Sequence, residues 1–134
     1  GDPNIWMGDV VEVLVETQVF SYYQIAINPA AAIMEIARKD AAKNTRWSSG
    51  ATAAAYVGDG FWSLEVRLPA AGENAEVLDP NHGIAGKPPS STYPWHINVC
   101  RQRVRGREME ASAWSPTGTT RFHDAMKFGK VCIK

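Results

Sequence analysis

Apolar and polar residues alternate with period two through most of the chain, and that period predicts strands. Residues 10–16 form the first: Val11, Val13 and Val15 are assigned to the core, and Val10, Glu12 and Leu14 to the outward face. A second strand covers 22–28, with Tyr23, Ile25 and Ile27 inward and Tyr22, Gln24 and Ala26 outward; Pro29 ends it, having no N–H for a ladder. Segment 30–37 is alanine-rich, which favours helix locally, but Ile33-Met34-Glu35-Ile36 alternates and is read as a third strand. The polar stretch 38–50 is a solvated loop anchored by Trp47. Residues 51–57 and 61–68 flank Gly58-Asp59-Gly60, a tight hairpin connection. In its second arm Trp62, Leu64, Val66 and Leu68 point inward, while Ser63, Glu65 and Arg67 point outward. Residues 70–92, rich in Pro, Gly, Asn and Ser, form a loop long enough to be functional or mobile.

The strand at 93–103 places Trp95, Ile97 and Val99 inward and His96, Asn98 and Cys100 together outward. Arg101, Arg103, Arg105 and Arg107 run into a turn at Gly106, read as a solvated hairpin tip. A short strand at 110–114 leads into a loop carrying Trp114-Ser115-Pro116, Phe122-His123-Asp124 and Phe128-Gly129. The closing strand at 130–134 has Val131 and Ile133 inward and Cys132 outward. Strands throughout, joined by turn signals, predict a single all-β domain over 1–134, an antiparallel β-sandwich of jelly-roll type.

With 134 residues, 45% of them hydrophobic, the chain fits one core. Zero formal net charge and a missing basic footprint argue against a nucleic-acid partner. No apolar run is long enough to span a bilayer. The opening Gly1-Asp2-Pro3-Asn4 lacks the charged and then apolar start of a signal peptide, which reads as a mature or excised piece. Cys100 and Cys132 match no CxxC spacing. They are read as a disulfide, with two free thiols as the alternative.

Catalytic constellations are weak. Ser115, His123 and Asp124 lack a nucleophile elbow, and Glu12 with Glu65 would need a shared cleft to act as a carboxylate pair. His96, Cys100, His123 and Cys132 match no zinc spacing. Sugar recognition fits better. A pyranose offers an apolar C–H face and a hydroxyl rim, met by aromatic rings with planar polar groups. Five tryptophans, many for this length, point the same way. The candidate set is Trp6, Glu12, Gln24, Asn98, Arg101 and the aromatics of the C-terminal loop, that loop forming one wall of a sugar cleft. Glu12 alone also suits a salt bridge, and Trp62 and Trp95 suit core packing.

Several stretches, in order, resemble a known family: Trp6 with Asp9-Val10-Val11-Glu12-Val13, Tyr23-Gln24 with Asn28-Pro29, Trp62-Ser63-Leu64-Glu65 with Leu68-Pro69, Trp95 with Asn98-Val99 and Arg101, Ser112-Ala113-Trp114-Ser115-Pro116, and Phe122-His123-Asp124 with Lys127-Phe128-Gly129. The chain resembles the later part of a family 9 carbohydrate-binding module, in the superfamily that includes DOMON-type domains. The resemblance implies a non-catalytic β-sandwich appended to a secreted glycoside hydrolase acting on plant-type polysaccharide such as xylan or cellulose, and an extracellular, periplasmic or cell-surface location. It implies a sugar ring between Trp6 and Phe122, with hydroxyls held by Glu12 and Asn98; to these the candidate set read from the residues adds Gln24 or Arg101 at the hydroxyls and His123 at the rim. It also implies structural calcium, whose ligands do not map onto these residues.

Three features depart from the family pattern. Phe122 stands where the second clamp tryptophan is expected, Ala26 where an arginine contacts ligand, and the strands that precede the Trp6 motif are missing. Missing strands imply an excised piece, a shortened variant, or strands supplied by another chain, the last inviting a homodimer through sheet edges. Haem-binding relatives in the same superfamily suggest a second reading, a b-type haem site with axial ligands among Met7, Met126, His96 and His123. A third is a structural domain of a surface protein.

Overall fold

A computed structural model of the chain describes residues 4–18, 21–39, 42–72 and 78–133. The turn expected at 18–21, parts of the loops at 38–50 and 70–92, and the chain's first three residues therefore lie partly or wholly outside the described residues. The fold is all-β. A large antiparallel sheet is built from β1 (Val10–Gln18), β2 (Ser21–Ile27), β3 (Ile33–Lys39), β4 (Ala42–Asn44), β9 (Trp95–Arg105) and β10 (Glu108–Ala113), in the order β10-β9-β1-β2-β3-β4. A short strand, β11 (Gly129–Val131), pairs with β9. The ambiguous alanine-rich segment is a strand from Ile33 onward, because pairing with β2 along its length overrides the local helix preference.

The strand β9 organises the sheet. It pairs with β1 along one side through Ile97–Gln102 and neighbours. On its other side β10 takes the 100–105 half and β11 takes the 95–97 half. Between those two partners the chain leaves the edge and returns, so the loop at 114–128 is an excursion from one edge strand.

Both faces of the sheet are covered. The odd-numbered residues of β1 and β2 meet a hairpin made of β5 (Thr52–Val57) and β6 (Trp62–Arg67), joined at Gly58-Asp59-Gly60. Gly60 has φ 77°, the conformation such a turn requires. Val15, Ile25, Ile27, Trp47, Ile84 and Trp95 form the core of this hairpin face, with Leu64, Val66 and Leu68 packed on it. Trp47 is the anchor its sequence position suggested. Ile84 reaches the core from β8 (Ile84–Ala85), which runs parallel to β7 (Ala70–Gly72). The second layer is thus a two-stranded hairpin with a short parallel pair.

The other face, assigned outward from the sequence, is covered by the two ends of the chain. A 3-10 turn at Ile5–Met7 lays Ile5 and Trp6 on Val10, Ala26 and Met34. The loop at 114–128 lays Phe122, Ala125 and Phe128 on Leu14 and Cys100. This loop face holds the even-numbered residues. The strand parity is as expected, but the label "outward" is corrected, because segments distant in sequence shield Val10, Glu12, Leu14, Gln24 and Ala26 from water. Two core assignments are also corrected: Val99 is partly exposed, and Ile133 lies exposed beyond the last strand. Among the described residues no helix is long and apolar enough to cross a membrane.

Candidate functional site

On the loop face β1, β2 and β3 carry a polar rail between two apolar clusters. Gln24 Nε2 donates to Glu12 Oε2 at 3.1 Å, and Arg38 Nε donates to Gln24 Oε1 at 2.8 Å. The Arg38 guanidinium lies 5.9 Å from the centre of the Tyr22 ring. The Tyr22 hydroxyl and His123 Nδ1 are 2.9 Å apart, which joins the rail to the C-terminal loop. Burial pushes the Glu12 carboxyl above its ordinary range, with Gln24 and Arg38 opposing it. Burial likewise raises Tyr22. For His123, partial burial and then the Arg38 and Lys43 charges hold the ring below its ordinary value. Both effects favour the neutral imidazole, which shares a hydrogen bond with the Tyr22 hydroxyl.

Six of the seven expected site residues lie on this face: Trp6, Glu12, Gln24, Asn98, Phe122 and His123. Trp6 belongs to the N-terminal cluster and is half-buried. Phe122 belongs to the C-terminal one, at 7% exposure, and its ring is spent on packing against Leu14 and Cys100. Asn98 is on the same face but sealed: its Nδ2 donates to Ser115 O at 2.8 Å and its Oδ1 accepts from Ser115 N at 2.9 Å. Among the described residues every buried side-chain nitrogen and oxygen has a hydrogen-bond partner, so the rail is internally satisfied.

Arg101 is on the opposite face, and around it the structure forms an open groove of about 270 Å³. Val11 is its floor. Phe61, Trp62 and Leu64 from the hairpin form one wall, and Arg101, Arg103 and Arg105 from β9 the other. Arg103 Nη1 lies 3.4 Å and Arg101 Nη1 3.8 Å from oxygens of Glu110, which stands across from Arg103 on β10. Arg105 closes one end by pairing with Asp9 at 3.0 Å. Burial alone would raise the Asp9 carboxyl, but the Val104 N–H and the Arg105 charge outweigh it and hold it below its ordinary value.

Two exposed aromatic rings belong to this side of the molecule, and each is seated on a glycine. Phe61, 58% exposed, lies against Gly58, where a Cβ would come within 2.4 Å of the ring. Trp114, 59% exposed, lies against Gly129, where a Cβ would come within 2.3 Å. Trp114 N donates to Val99 O at 2.8 Å, so it continues the β10 edge beside the exposed Val99. The sequence reading did not place Phe61, Trp62 or Arg103 in the candidate set, whereas Trp114 entered it among the aromatics of the C-terminal loop. The signal for the arginines was present: spacing 101, 103, 105 places all three on one strand face. No sequence signal brought the hairpin tip over them.

A second depression, of about 390 Å³, is lined by Tyr23, Arg38, Asn44, Trp47 and His82 among others. Its polar handles are committed: the Trp47 indole N–H donates to Gly83 O at 2.9 Å, and the Tyr23 hydroxyl accepts from Ala85 N at 3.1 Å.

Other chemistries find little support in the geometry. The Ser115 hydroxyl donates to Lys127 O at 2.5 Å and His123 faces Tyr22, so Ser115, His123 and Asp124 do not form a relay. Glu12 is under the loop face and Glu65 is on the outer side of β6, with the sheet and hairpin between them. Met7 and Met126 are both exposed at the surface. Among the described residues no three His, Cys, Asp or Glu side chains gather as metal ligands. The disulfide reading is corrected, because both cysteines are free. Cys132 follows Val131, which pairs with Trp95, whereas Cys100 pairs with Glu12 and Ala113 further along β9. Five residues of strand separate the two levels, on the order of 17 Å, far beyond bonding reach.

No protein-family model, curated protein or solved structure matches the chain.

Proposed function

We propose that this domain is a non-catalytic carbohydrate-binding module, with its ligand in the groove on the hairpin face. The observation that carries the proposal is the pairing of a glycine-seated, solvent-facing aromatic ring, Phe61, with guanidinium groups on a rigid strand. Phe61 has one side held against Gly58 while more than half of its surface remains open, a preorganised platform for a sugar's C–H face. Arg101 and Arg103 supply donors to the hydroxyl rim, and β9, which carries both, fixes their spacing. The family resemblance of the sequence agrees with this chemistry while placing the ligand on the loop face. The same resemblance motivates a wider reading: a targeting domain of a secreted glycoside hydrolase, acting on plant-type polysaccharide outside the cytoplasm.

Isothermal titration against cello- and xylo-oligosaccharides and the corresponding monosaccharides tests the proposal. Binding is expected, and Phe61→Ala should weaken it about tenfold through lost stacking. Trp6→Ala should leave affinity intact and lower thermal stability, since Trp6 packs on Ile5, Val10 and Met34. Affinity lost with Trp6 and indifferent to Phe61 would return the site to the loop face. No heat with any sugar, neutral or acidic, would defeat the proposal outright.

A further inference from the structure

We infer that the groove selects acidic sugars, its two central arginines gripping the carboxylate of a uronate residue while the sugar ring lies on the hairpin tip. The inference rests on the carbohydrate reading above and adds the class of sugar.

The case begins with spacing. Arg101 and Arg103 are two apart on β9, so both side chains leave the same face with their Cα atoms about 7 Å apart. Both reach toward one carboxylate, that of Glu110, at 3.8 and 3.4 Å. The pair is therefore built at a separation where two guanidiniums share a single carboxylate. Their donor capacity far exceeds what Glu110 accepts. Two guanidiniums carry ten N–H groups between them, and Glu110 takes one hydrogen bond, from Arg103.

Charge leads to the same conclusion. Three arginines line the groove, against Glu110 and Asp9. Asp9 is tied to Arg105 through both of its oxygens and to the Val104 N–H, so that pair is closed. Glu110 faces two cations alone. Its side chain is 60% exposed and its contacts are long, the mark of a weak surface pair that an incoming carboxylate can displace. Guanidinium binds carboxylate through paired N–H bonds, a geometry that a neutral hydroxyl cannot reproduce.

A bare anion would need only the arginines. The ring is called for by the rest of the lining. Phe61, Trp62, Leu64 and the Val11 floor form an apolar wall beside the cationic one. A hexuronate presents both characters at once, a carboxylate on one edge and an apolar C–H face. A strip of phosphates would leave that wall unused.

The test is titration of the whole domain with galacturonic acid and its oligomers, in parallel with galactose and galacto-oligosaccharides, at low and high salt. Uronates are expected to bind more tightly than their neutral counterparts, with the difference shrinking as salt rises. Arg101→Ala and Arg103→Ala should each weaken uronate binding about tenfold. Glu110→Gln removes the competing carboxylate and should strengthen it about two- to fivefold, raising the preference for uronate over neutral sugar. A gain of affinity on removing a surface carboxylate is an outcome that unfolding cannot mimic, and near-ultraviolet circular dichroism confirms that each variant is folded. Neutral sugars binding as well as uronates, with Glu110→Gln without effect, would overturn the inference and leave the carbohydrate reading standing. Neither class binding would overturn both. Acetate or inorganic phosphate competing at the same concentrations as the uronate would show a plain anion site and overturn the sugar assignment.

Discussion

Glu12 illustrates how a single residue can keep its predicted neighbours and change its meaning. Its alternation partners Val10 and Leu14 are as read, yet all three are shielded, and the carboxyl is 6% exposed beside Gln24. A carboxyl raised by burial binds its proton more tightly in the folded chain than in the unfolded one. The sign follows from linkage: stability is highest where both states are protonated, below the ordinary glutamate value of 4.5, and falls as pH rises through the raised native value. Above that it stays at the lower level. Glu12→Gln keeps an acceptor for Gln24 and removes the charge. It should raise neutral-pH stability on the order of 1 kcal/mol, a few degrees in Tm, and match the parent in acid. Thermal melts of both proteins across pH check this. Parallel stability–pH curves would show that the native state tolerates the Glu12 charge without penalty.

At the scale of elements, the loop at 114–128 depends on one asparagine. Asn98 stands on β9 where β10 ends and β11 has not begun, and it gives Ser115 the two hydrogen bonds a neighbouring strand would have supplied. Asn98→Ala should cost about 2 kcal/mol, since it removes both bonds and leaves the Ser115 N–H and C=O without those partners. Urea unfolding measures it, and an unchanged midpoint would mean that the Ser115–Lys127 bond holds the loop unaided. The residue was legible as special, a polar group on a strand, but its role was not. Period two reports which residues share a face, and it did so for β1, β2, β6 and β9. It carries no information about what comes to cover that face. Phe122 and Trp6 therefore read as an open clamp, whereas each closes an apolar cluster on its own end of the sheet. Phe61 read as the start of a strand, and only the hairpin's placement over β9 makes it a groove wall. The failed disulfide has the same origin: outward parity for both cysteines was consistent with pairing, and the split edge of β9 separates them.

The whole molecule is a sheet with two unequal coats, and the difference has a consequence for stability. The hairpin face has the larger cluster, with Ile25, Ile27, Trp47 and Ile84 at its centre and residues from six strands on it. The loop face is held by two separate small clusters divided by the polar rail. Regions with fewer buried apolar contacts open at lower free energy than the global core. Cys100 is a built-in reporter of that difference. It is buried beneath Phe122 and Phe128, and burial, then the Glu12 charge, pushes its thiol up to about 12. Cys132 is exposed and free. The native protein should therefore titrate one thiol with a disulfide reagent at neutral pH, and two after denaturation. Lifting the loop uncovers Cys100 while the hairpin face stays packed. Its labelling should then appear in urea below the main transition, with a smaller denaturant dependence than global unfolding, because less surface is exposed. Labelling that begins only with the main transition, at the same slope, would mean that the two coats unfold as one unit and that the rail between the loop-face clusters couples them as firmly as the core does.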